Sequence, residues 1–371
     1  MRLGYDAKRA FFNRSGLGNY SRNVLNMLAE YFPMNEYFLY SPQPQKPLYT
    51  LNPTNQQLIV PQKRLHQWFP FYWRSYFLYK QIENDKIDLF HGLSNEIPFH
   101  IHRTNIPSVV TIHDLIYMRY PHFYNPIDRA IYKEKCLYAA THANRIIAVS
   151  QQTANDLQEF FKIPAHKIDV VYQSCNPMFW TTADRAKRQE VLAKYLIPDH
   201  YILFVGTIEE RKNVLNILIG MRKAKIDYPL VIIGKPTRYL GTVKSYIERH
   251  EMRNIFFLHN VPNEDLPAIY QMATVFVYPS IFEGFGIPIL EALVSKTPVI
   301  TSKGGCFSEA GGKSTLYVDP QNPKEIGSAL KEVLDNNYLR ENMIFDGFVH
   351  AQKFRREKVA QQLILVYEKL V

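Results

Sequence analysis

The chain has 371 residues, 46% of them hydrophobic and 21% charged, and its 44 basic against 34 acidic residues give a formal charge of +10. This length and balance fit a folded protein of about two domains and exclude an intrinsically disordered chain. The positive charge indicates an anionic partner, which composition alone leaves open as nucleic acid, membrane lipid or a phosphorylated substrate.

Signals for export or membrane insertion are absent from the sequence. The amino terminus lacks the apolar stretch of a signal peptide, and no window holds eighteen consecutive apolar residues. We therefore expect a cytoplasmic protein. The three cysteines, Cys136, Cys175 and Cys306, have spacings that fit neither a zinc site nor a disulfide framework, so we expect reduced, packed thiols.

Short apolar, β-branched runs alternate with helical stretches, which is the pattern of parallel strands joined by crossover helices. The first half has seven such runs: Leu3–Asp6, Tyr37–Tyr40, Gln57–Val60, Ile87–Phe90, Ser108–Ile112, Arg145–Val149 and Ile168–Tyr172. The second half has six: Tyr201–Val205, Leu230–Ile233, Ile255–Leu258, Thr274–Tyr278, Pro298–Thr301 and Thr315–Val318. The sequence thus predicts an α/β protein with two doubly wound, Rossmann-like domains.

We place the two domains at residues 1–175 and 176–348, with a hinge in the polar segment Gln173–Asp184. The last stretch, about 349–371, is predicted to be an amphipathic helix. Its apolar residues Val359, Leu363, Val366 and Leu370 recur at three- and four-residue steps.

The loop after the first strand contains only part of a dinucleotide-binding fingerprint. Gly16 and Gly18 have the right spacing, but Ser21 stands where the third glycine is required, and no acidic residue follows about 20 positions later in a place suited to a ribose. This pattern argues against a nicotinamide or flavin oxidoreductase. The alternative is that this loop is only a tight strand-to-helix turn and binds no ligand.

The segment Lys63–Lys80 interleaves basic and aromatic side chains. Such a mixture is typical of a surface in peripheral contact with an anionic membrane. The alternative is a helix packed into its domain, because aromatic residues at helical spacing more often belong to a core. Both interpretations stay open.

Two predicted strands of the first half lead directly into a histidine-containing loop. His113 and Asp114 follow one strand, and the segment His91–Glu96 follows another. A lone histidine is more often structural, but one at the carboxyl end of a parallel strand can reach a ligand. Asp114 would orient His113 or cap the next helix.

In the second half, Gly206 follows a strand, and Arg211 and Lys212 stand at the start of a helix. A guanidinium fork, an ammonium and the N–H groups of a helix start suit a diphosphate, and the alternative is a solvated basic turn. Gly234 and Lys235 end the next predicted strand.

The most informative stretch places Glu283 and Glu291 on either side of a glycine-rich loop. It predicts a strand, a loop and a helix, with Pro288 at the first helical position and Glu291 in the first turn. Gly284 and Gly286 let the backbone approach a ligand, and each carboxylate can accept hydrogen bonds from two sugar hydroxyls. The alternative is a turn residue followed by an acid that stabilises the helix dipole.

Three stretches together resemble the motifs of glycosyltransferase family 4: Thr111–Asp114, Gly206–Asn213, and Tyr278–Leu293 with Pro298–Ser302. Glu210 is a departure, because many relatives have proline there. Members of that family, also called group 1 glycosyltransferases, are retaining enzymes of the GT-B fold, in which two Rossmann-like domains face a central cleft. The resemblance implies that the amino-terminal domain binds the acceptor, that the carboxyl-terminal domain binds the donor, and that the terminal helix packs on the former.

The resemblance also implies roles for individual residues. Catalytic roles fall to Glu283, His113, Arg211 and Lys212. Contacts with the donor fall to Gly16, Gly18, Gly206, Arg211, Lys212, Gly234, Lys235, Val261, Gly284, Phe285, Gly286 and Glu291.

The implied reaction moves a hexosyl unit, with mannose favoured, from a nucleotide-diphosphate sugar to a glycan or lipid-linked acceptor in surface polysaccharide biosynthesis. Neither a cofactor nor a nucleic-acid partner is implied. No metal is expected either, since the chain lacks the Asp-x-Asp with which GT-A-type transferases hold one. The alternatives are a nucleotide-sugar epimerase or phosphorylase of the same fold and, more distantly, a non-catalytic protein that binds anionic ligands.

Overall fold

The computed structural model describes residues 1–45 and 47–371. The chain forms two compact units, one of Met1–Ser174 with Arg356–Val371 and the other of Cys175–Arg355. Each unit is built on one parallel sheet with helices around it, which confirms the predicted fold class.

The sheet of the first unit has seven strands: β1 Arg2–Asp6, β2 Glu36–Tyr40, β3 Gln56–Ile59, β4 Leu89–Gly92, β5 Ser108–Ile112, β6 Arg145–Ala148 and β7 Ile168–Val170. Their order is β3-β2-β1-β4-β5-β6-β7, and all neighbours run parallel. Alternate strand residues enter two different apolar clusters, for example Leu39 in one and Phe38 in the other. Both faces of this sheet are therefore buried, as is usual for parallel sheets covered by crossover helices.

The described residues before the second unit form the α-helices α1 Lys8–Phe12, α2 Gly16–Tyr31, α3 Arg64–Trp68, α4 Pro70–Tyr72, α5 Leu78–Asn84, α6 Ile116–Arg119, α7 Pro126–His142 and α8 Gln151–Phe161. The short helix α1, between β1 and the glycine loop, was not predicted. The segment 63–80 is a chain of short helices with a π-helical turn at Trp73–Phe77 between α4 and α5.

The second sheet has six strands: β8 Tyr201–Val205, β9 Leu230–Ile233, β10 Ile255–Leu258, β11 Ala273–Tyr278, β12 Val299–Ser302 and β13 Leu316–Val318. Their order, β10-β9-β8-β11-β12-β13, reverses direction between β8 and β11, as the first sheet does between β1 and β4. Ligands of such sheets bind at this switch point, beyond the carboxyl ends of the strands.

The helices of this unit are α9 Arg185–Tyr195, α10 Val214–Lys223, α11 Tyr239–Arg249, α12 Leu266–Met272, α13 Ile287–Val294, α14 Phe307–Gly311, α15 Pro323–Asp335 and α16 Asn337–Ala351. Among residues 1–45 and 47–371, no helix has the length and apolar character needed to span a bilayer.

The predicted helix over 349–371 is wrong in its first part. Residues 349–351 end α16, a 3₁₀ turn follows at Gln352–Phe354, and the last helix, α17, spans Arg356–Glu368. The helix is interrupted at Arg355, whose ψ of 141° is not helical, and the preceding Phe354 is buried against Phe285 within the second unit, with ring centroids 5.4 Å apart. The periodic residues Val359, Leu363 and Val366 do pack in the first unit's core beside α2, as expected.

Candidate functional site

Two loops meet at the switch point of the second sheet. The loop after β8 contains a 3₁₀ turn at Glu210–Lys212 and then Asn213 in the left-handed region, at φ 66°. The Asn213 amide donates to the carbonyls of Pro279 (3.0 Å) and Pro320 (2.6 Å). A backbone hydrogen bond of 2.8 Å, donated by Ile281 N to the Arg211 carbonyl, joins the two loops directly.

Both cations of the first loop contact Glu283 in the second. Atom Oε1 of Glu283 lies 3.0 Å from Arg211 Nη1 and forms a short ion pair with Lys212 Nζ. The same oxygen accepts hydrogen bonds from Tyr278 (2.9 Å) and Ser280 (2.6 Å). We call these five residues the Glu283 cluster, and they bring together three of the four predicted catalytic residues.

Burial and charge act in opposite directions on Glu283. Burial on its own would raise its pKa, but Arg211 and Lys212 outweigh it and hold the pKa at about 2. Glu283 is therefore an anion throughout the neutral range. Burial lowers the pKa of Lys212, and Glu283 opposes that effect.

A second carboxylate also contacts Arg211. Nη2 of Arg211 lies 2.7 Å from Oε1 of Glu209, whose side chain is 36% exposed. Tyr278, Ser280 and Glu209 were not among the predicted site residues, although all three lie inside the motifs that carried the resemblance.

Glu291 lies outside the Glu283 cluster. Its Oε2 accepts a hydrogen bond of 3.0 Å from Tyr270, and burial raises its pKa to about 7. The ring of Phe276 lies 5.3 Å from that of Tyr270 and 5.7 Å from that of Tyr278. The tyrosine partners of the two predicted acids are thus linked through one aromatic row, and within residues 1–45 and 47–371 the two carboxylates share no hydrogen-bond partner.

The predicted position of Glu291 in the helix needs a correction. Gly286 takes a left-handed conformation, at φ 99°, and α13 begins only at Ile287. Pro288 is therefore the second helical residue, and Glu291 lies one turn beyond the helix start. It is too far along the helix to act as a first-turn acid on the dipole.

The other predicted donor residues of the second unit contribute mainly backbone. A Cβ on Gly234 would lie 1.8 Å from the Gly206 carbonyl oxygen, so the strand ends of β8 and β9 can pack closely only with glycine there. Lys235 is exposed, Val261 is half-buried, and both follow strands at the same sheet edge.

The glycine-rich loop itself differs from its prediction in one side chain. Gly284 is half-buried beside Glu283, and Gly286 supplies the positive φ. The side chain of Phe285 is only 2% exposed and packs on Phe354. Its side chain is therefore a core element, and only its backbone can face a ligand.

In the first unit, His113 and Asp114 follow β5 as predicted. His113 is buried, with Nε2 2.9 Å from the Leu93 carbonyl and its ring edge-on to Tyr20 at 4.6 Å. Burial lowers its pKa to about 4, so it is neutral at pH 7. Asp114 Oδ1 accepts from Ile116 N (3.1 Å) in the turn before α6, whose N-cap residue is Leu115.

His91, the histidine that ends the other strand, is a core residue. Its ring is fully buried, with Nδ1 2.7 Å from the Tyr367 hydroxyl and Nε2 2.8 Å from Thr111 Oγ1. Tyr367 belongs to α17, a contact that the sequence pattern could not reveal.

The glycines of the first loop differ in what surrounds them. A Cβ on Gly18 would lie 1.8 Å from the Asn13 carbonyl oxygen, which supports the interpretation as a tight turn. Gly16, the first residue of α2, has open space around it. Nearby, Arg74 binds Asp6 (2.7 Å) and Glu96 (2.9 Å) in a buried network that the sequence did not predict.

Comparison with known proteins gives two family matches. The family described as Glycosyltransferase Family 4 matches residues 15–177, and the one described as Glycosyl transferases group 1 matches residues 187–347.

Curated relatives include the O-antigen chain mannosyltransferase B of Escherichia coli, which is 31% identical over 289 residues, covering 76% of this chain and 74% of that protein. The O-antigen chain mannosyltransferase RfbU of Salmonella typhimurium is 28% identical over 225 residues, or 60% of each chain.

Solved structures share the fold at low identity. A sucrose-phosphate synthase from Thermosynechococcus elongatus superposes with a TM-score of 0.81 at 18% identity, over 100% of this chain and 99% of that one. Anabaena HepE in complex with UDP-glucose gives 0.78 at 14% identity over the whole of both chains. From these family matches and the E. coli relative, the chain belongs to the group 1 glycosyltransferases and is a GT-B-fold glycosyltransferase.

Proposed function

We propose that this glycosyltransferase moves a hexosyl unit, with mannose favoured, from a nucleotide-diphosphate sugar to a glycan or lipid-linked acceptor, with retention of configuration. The observation that carries the proposal is the Glu283 cluster at the switch point of the second sheet. The two O-antigen mannosyltransferases among the relatives support the choice of mannose and of a surface polysaccharide. The neighbour bound to UDP-glucose supports a nucleotide-sugar donor.

In this proposal Arg211 and Lys212 receive the diphosphate. The bond between the anomeric carbon and the diphosphate oxygen breaks, and negative charge grows on the leaving phosphate. Two fixed cations stabilise that charge in a site where burial strengthens electrostatic interactions. The acceptor hydroxyl attacks from the same face, and its proton passes to the departing nucleoside diphosphate. Because these cations supply the positive charge, we propose that no metal is required.

Glu283 orients the sugar in this proposal and keeps Arg211 and Lys212 in place. Glu291 holds ribose hydroxyls, and His113, neutral at pH 7, contacts the donor sugar region. The glycine backbones at the carboxyl ends of β8 and β9 allow close approach of the donor.

The first experiment is a thermal-shift screen of GDP-, UDP-, ADP- and dTDP-sugars. A ligand at about 100 times its Kd stabilises by roughly 2.7 kcal/mol, which is readily measured. Release of nucleotide is then followed with and without acceptor, and with EDTA. Acceptor-dependent release that resists EDTA supports the proposal, whereas conversion of donor without acceptor indicates an epimerase, and dependence on inorganic phosphate a phosphorylase.

Variants connect the reaction to the site. Lys212→Met should abolish donor stabilisation, and Lys223→Met, an exposed lysine at the end of α10, is the matched control. Equal donor binding by both variants would contradict the assignment of the diphosphate to Lys212.

We also propose that segment 63–80 contacts an anionic membrane. Its apolar side chains at Leu65, Trp68, Phe69, Phe71 and Tyr72 are 49–77% exposed. Its basic residues Lys63, Arg64 and Lys80 are exposed, and the segment has no acidic residue. The alternative interpretation, that the segment packs into its domain, also holds in part, since Trp73, Arg74 and Leu78 are buried and anchor the segment.

Helix α7 extends this surface. Lys135 Nζ lies 5.1 Å from the Phe71 ring, and α7 exposes Ile127, Ile131 and Tyr132. Exposed aromatic and cationic side chains together suit the boundary between headgroups and acyl chains.

Co-sedimentation with vesicles tests the membrane contact. We expect binding to vesicles that contain anionic phospholipid, weakened by salt and by the pair Trp68→Ser and Phe69→Ser. The pair Tyr338→Ser and Phe345→Ser removes two exposed aromatic residues of α16 and serves as control. Failure of the wild-type protein to sediment, or equal losses in both pairs, would refute the contact.

A further inference from the structure

A cavity lies in the second unit, at the edge of the sheet opposite the Glu283 cluster. It encloses about 300 Å³ at the amino ends of β11 and β12. Nine residues line it, and those that the argument uses are Trp180, Arg188, Gln271, Ser295, Lys296 and Phe348. None of these residues belongs to the proposed donor site, so the cavity requires its own explanation.

The lining is cationic. Arg188 and Lys296 are its charged members, and no acidic residue is among the nine. A third cation borders it, since the Arg355 guanidinium lies 4.7 Å from the centre of the Trp180 ring. The charge therefore selects an anionic ligand.

Two polar atoms of the lining are buried without a partner in the described part of the chain. These are Oγ of Ser295, a residue only 3% exposed, and Nε of Arg188. Buried polar atoms are normally hydrogen-bonded, and an exception requires a specific reason. Both atoms belong to residues that line the cavity, so its polar lining has hydrogen-bonding capacity that the described protein leaves unused.

The cavity wall also has two aromatic rings. The centroids of Trp180 and Phe348 lie 6.1 Å apart, and Lys296 Nζ lies 5.4 Å from the Phe348 ring. Gln271 fixes the rim by accepting from Ala183 N (2.9 Å) and donating to the Thr181 carbonyl (2.8 Å). The site thus combines charge, hydroxyl groups and flat apolar faces in a small volume, as small-molecule sites do.

We propose that this cavity binds a sugar phosphate. The phosphate lies between Arg188 and Lys296, the ring lies against the aromatic wall, and a sugar or phosphate oxygen accepts from Ser295. The volume is at the lower end of the roughly 300–1,000 Å³ of small-molecule sites, which fits a phosphorylated monosaccharide rather than a nucleotide sugar.

Calorimetric titration tests this with mannose 6-phosphate, glucose 6-phosphate, inorganic phosphate and uncharged mannose. We expect saturable binding of at least one sugar phosphate, at least about tenfold tighter than inorganic phosphate. Arg188→Gln and Lys296→Gln should each weaken it about tenfold or more, because each removes a charge-assisted hydrogen bond. Arg185→Gln, an exposed residue of α9 outside the lining, should leave it unchanged.

Lys212→Gln distinguishes this cavity from the donor site, because sugar phosphates should still bind in the cavity when Lys212 is changed. The proposal fails if no sugar phosphate binds below about 10 mM, if inorganic phosphate binds equally well, or if Lys212→Gln rather than Arg188→Gln removes binding. Thermal melting of every variant checks folding, and exposed Lys296 provides a test that does not disturb the packing of Arg188.

Discussion

Lys212 and Glu283, 71 positions apart in the chain, form an ion pair at the switch point of the second sheet. Arg211 joins the pair, and Tyr278 and Ser280 donate to the same carboxylate oxygen. The cations that suit a diphosphate are thus already held by an internal anion, which fixes their geometry before any ligand arrives.

Glu283→Gln should lower kcat about 100- to 1,000-fold while leaving the fold intact. The amide oxygen can still accept from Tyr278 and Ser280, but the charge that holds Arg211 and Lys212 is lost. Steady-state kinetics measure the effect. The control is Glu325→Gln, which breaks the more exposed Lys303–Glu325 pair and should change unfolding free energy by at most about 1 kcal/mol. Unchanged kcat in Glu283→Gln would contradict the role of Glu283.

Glu209→Gln should tighten donor binding. Glu209 competes with the diphosphate for Arg211 through a partly exposed ion pair. Pairs of this kind contribute about 0.2–1 kcal/mol, so the donor KM should fall by a factor of about 1.4 to 5. The neighbouring exposed Glu210 provides the matched variant, Glu210→Gln, with no change expected. A weaker donor interaction in Glu209→Gln would show that Glu209 helps to bind the donor.

Glu291 should make stability depend on pH. Its pKa rises from 4.5 to about 7 on folding because the carboxyl is buried, so the folded protein holds the proton more tightly. The stabilisation that the protonated Glu291 carboxyl gives to the folded protein is fully present below about pH 4.5 and is lost as the pH rises through about 7.

Glu291→Gln removes this dependence and can keep the Tyr270 hydrogen bond. Above pH 7 it should therefore unfold with a free energy up to about 3 kcal/mol higher than that of the wild type. Urea unfolding at pH 5 and pH 8 measures the difference, with the exposed Glu332→Gln as control. A variant that tracks the wild type at both pH values would rule out the titration of Glu291 in this range.

Gly234→Ala should destabilise the second unit by about 2 kcal/mol or more, because the added methyl would lie 1.8 Å from the Gly206 carbonyl oxygen. Donor binding should weaken with it, since both glycines lie at the proposed donor edge. Gly241→Ala in α11 is the control, because its Cβ meets nothing within 4 Å. It should stabilise by about 0.5–1 kcal/mol, and equal effects of the two variants on thermal unfolding would contradict the close approach.

The sequence alone was sufficient for the strands of both sheets. Each apolar run, from Leu3–Asp6 to Thr315–Val318, overlaps a strand of the structure, because a strand buried on both faces needs a continuous apolar run that local composition reveals. The motif around Glu283 likewise predicted a strand, a loop and a helix in the right order. The start of that helix was misplaced, since the conformation of Gly286 decides it.

Tertiary structure decided which polar residues meet. It buried His91 against Tyr367 and placed the side chain of Phe285 in the core. It brought Arg188 and Ser295 to the same cavity. It also paired Glu283 with Lys212, whereas Glu291 pairs with Tyr270. The spacing of apolar residues along the chain predicts which side chains are buried, because it depends only on residues that are close in sequence. The partners of a charged or polar side chain depend instead on strand order and on loops far apart in the chain, and they settle its protonation and chemistry.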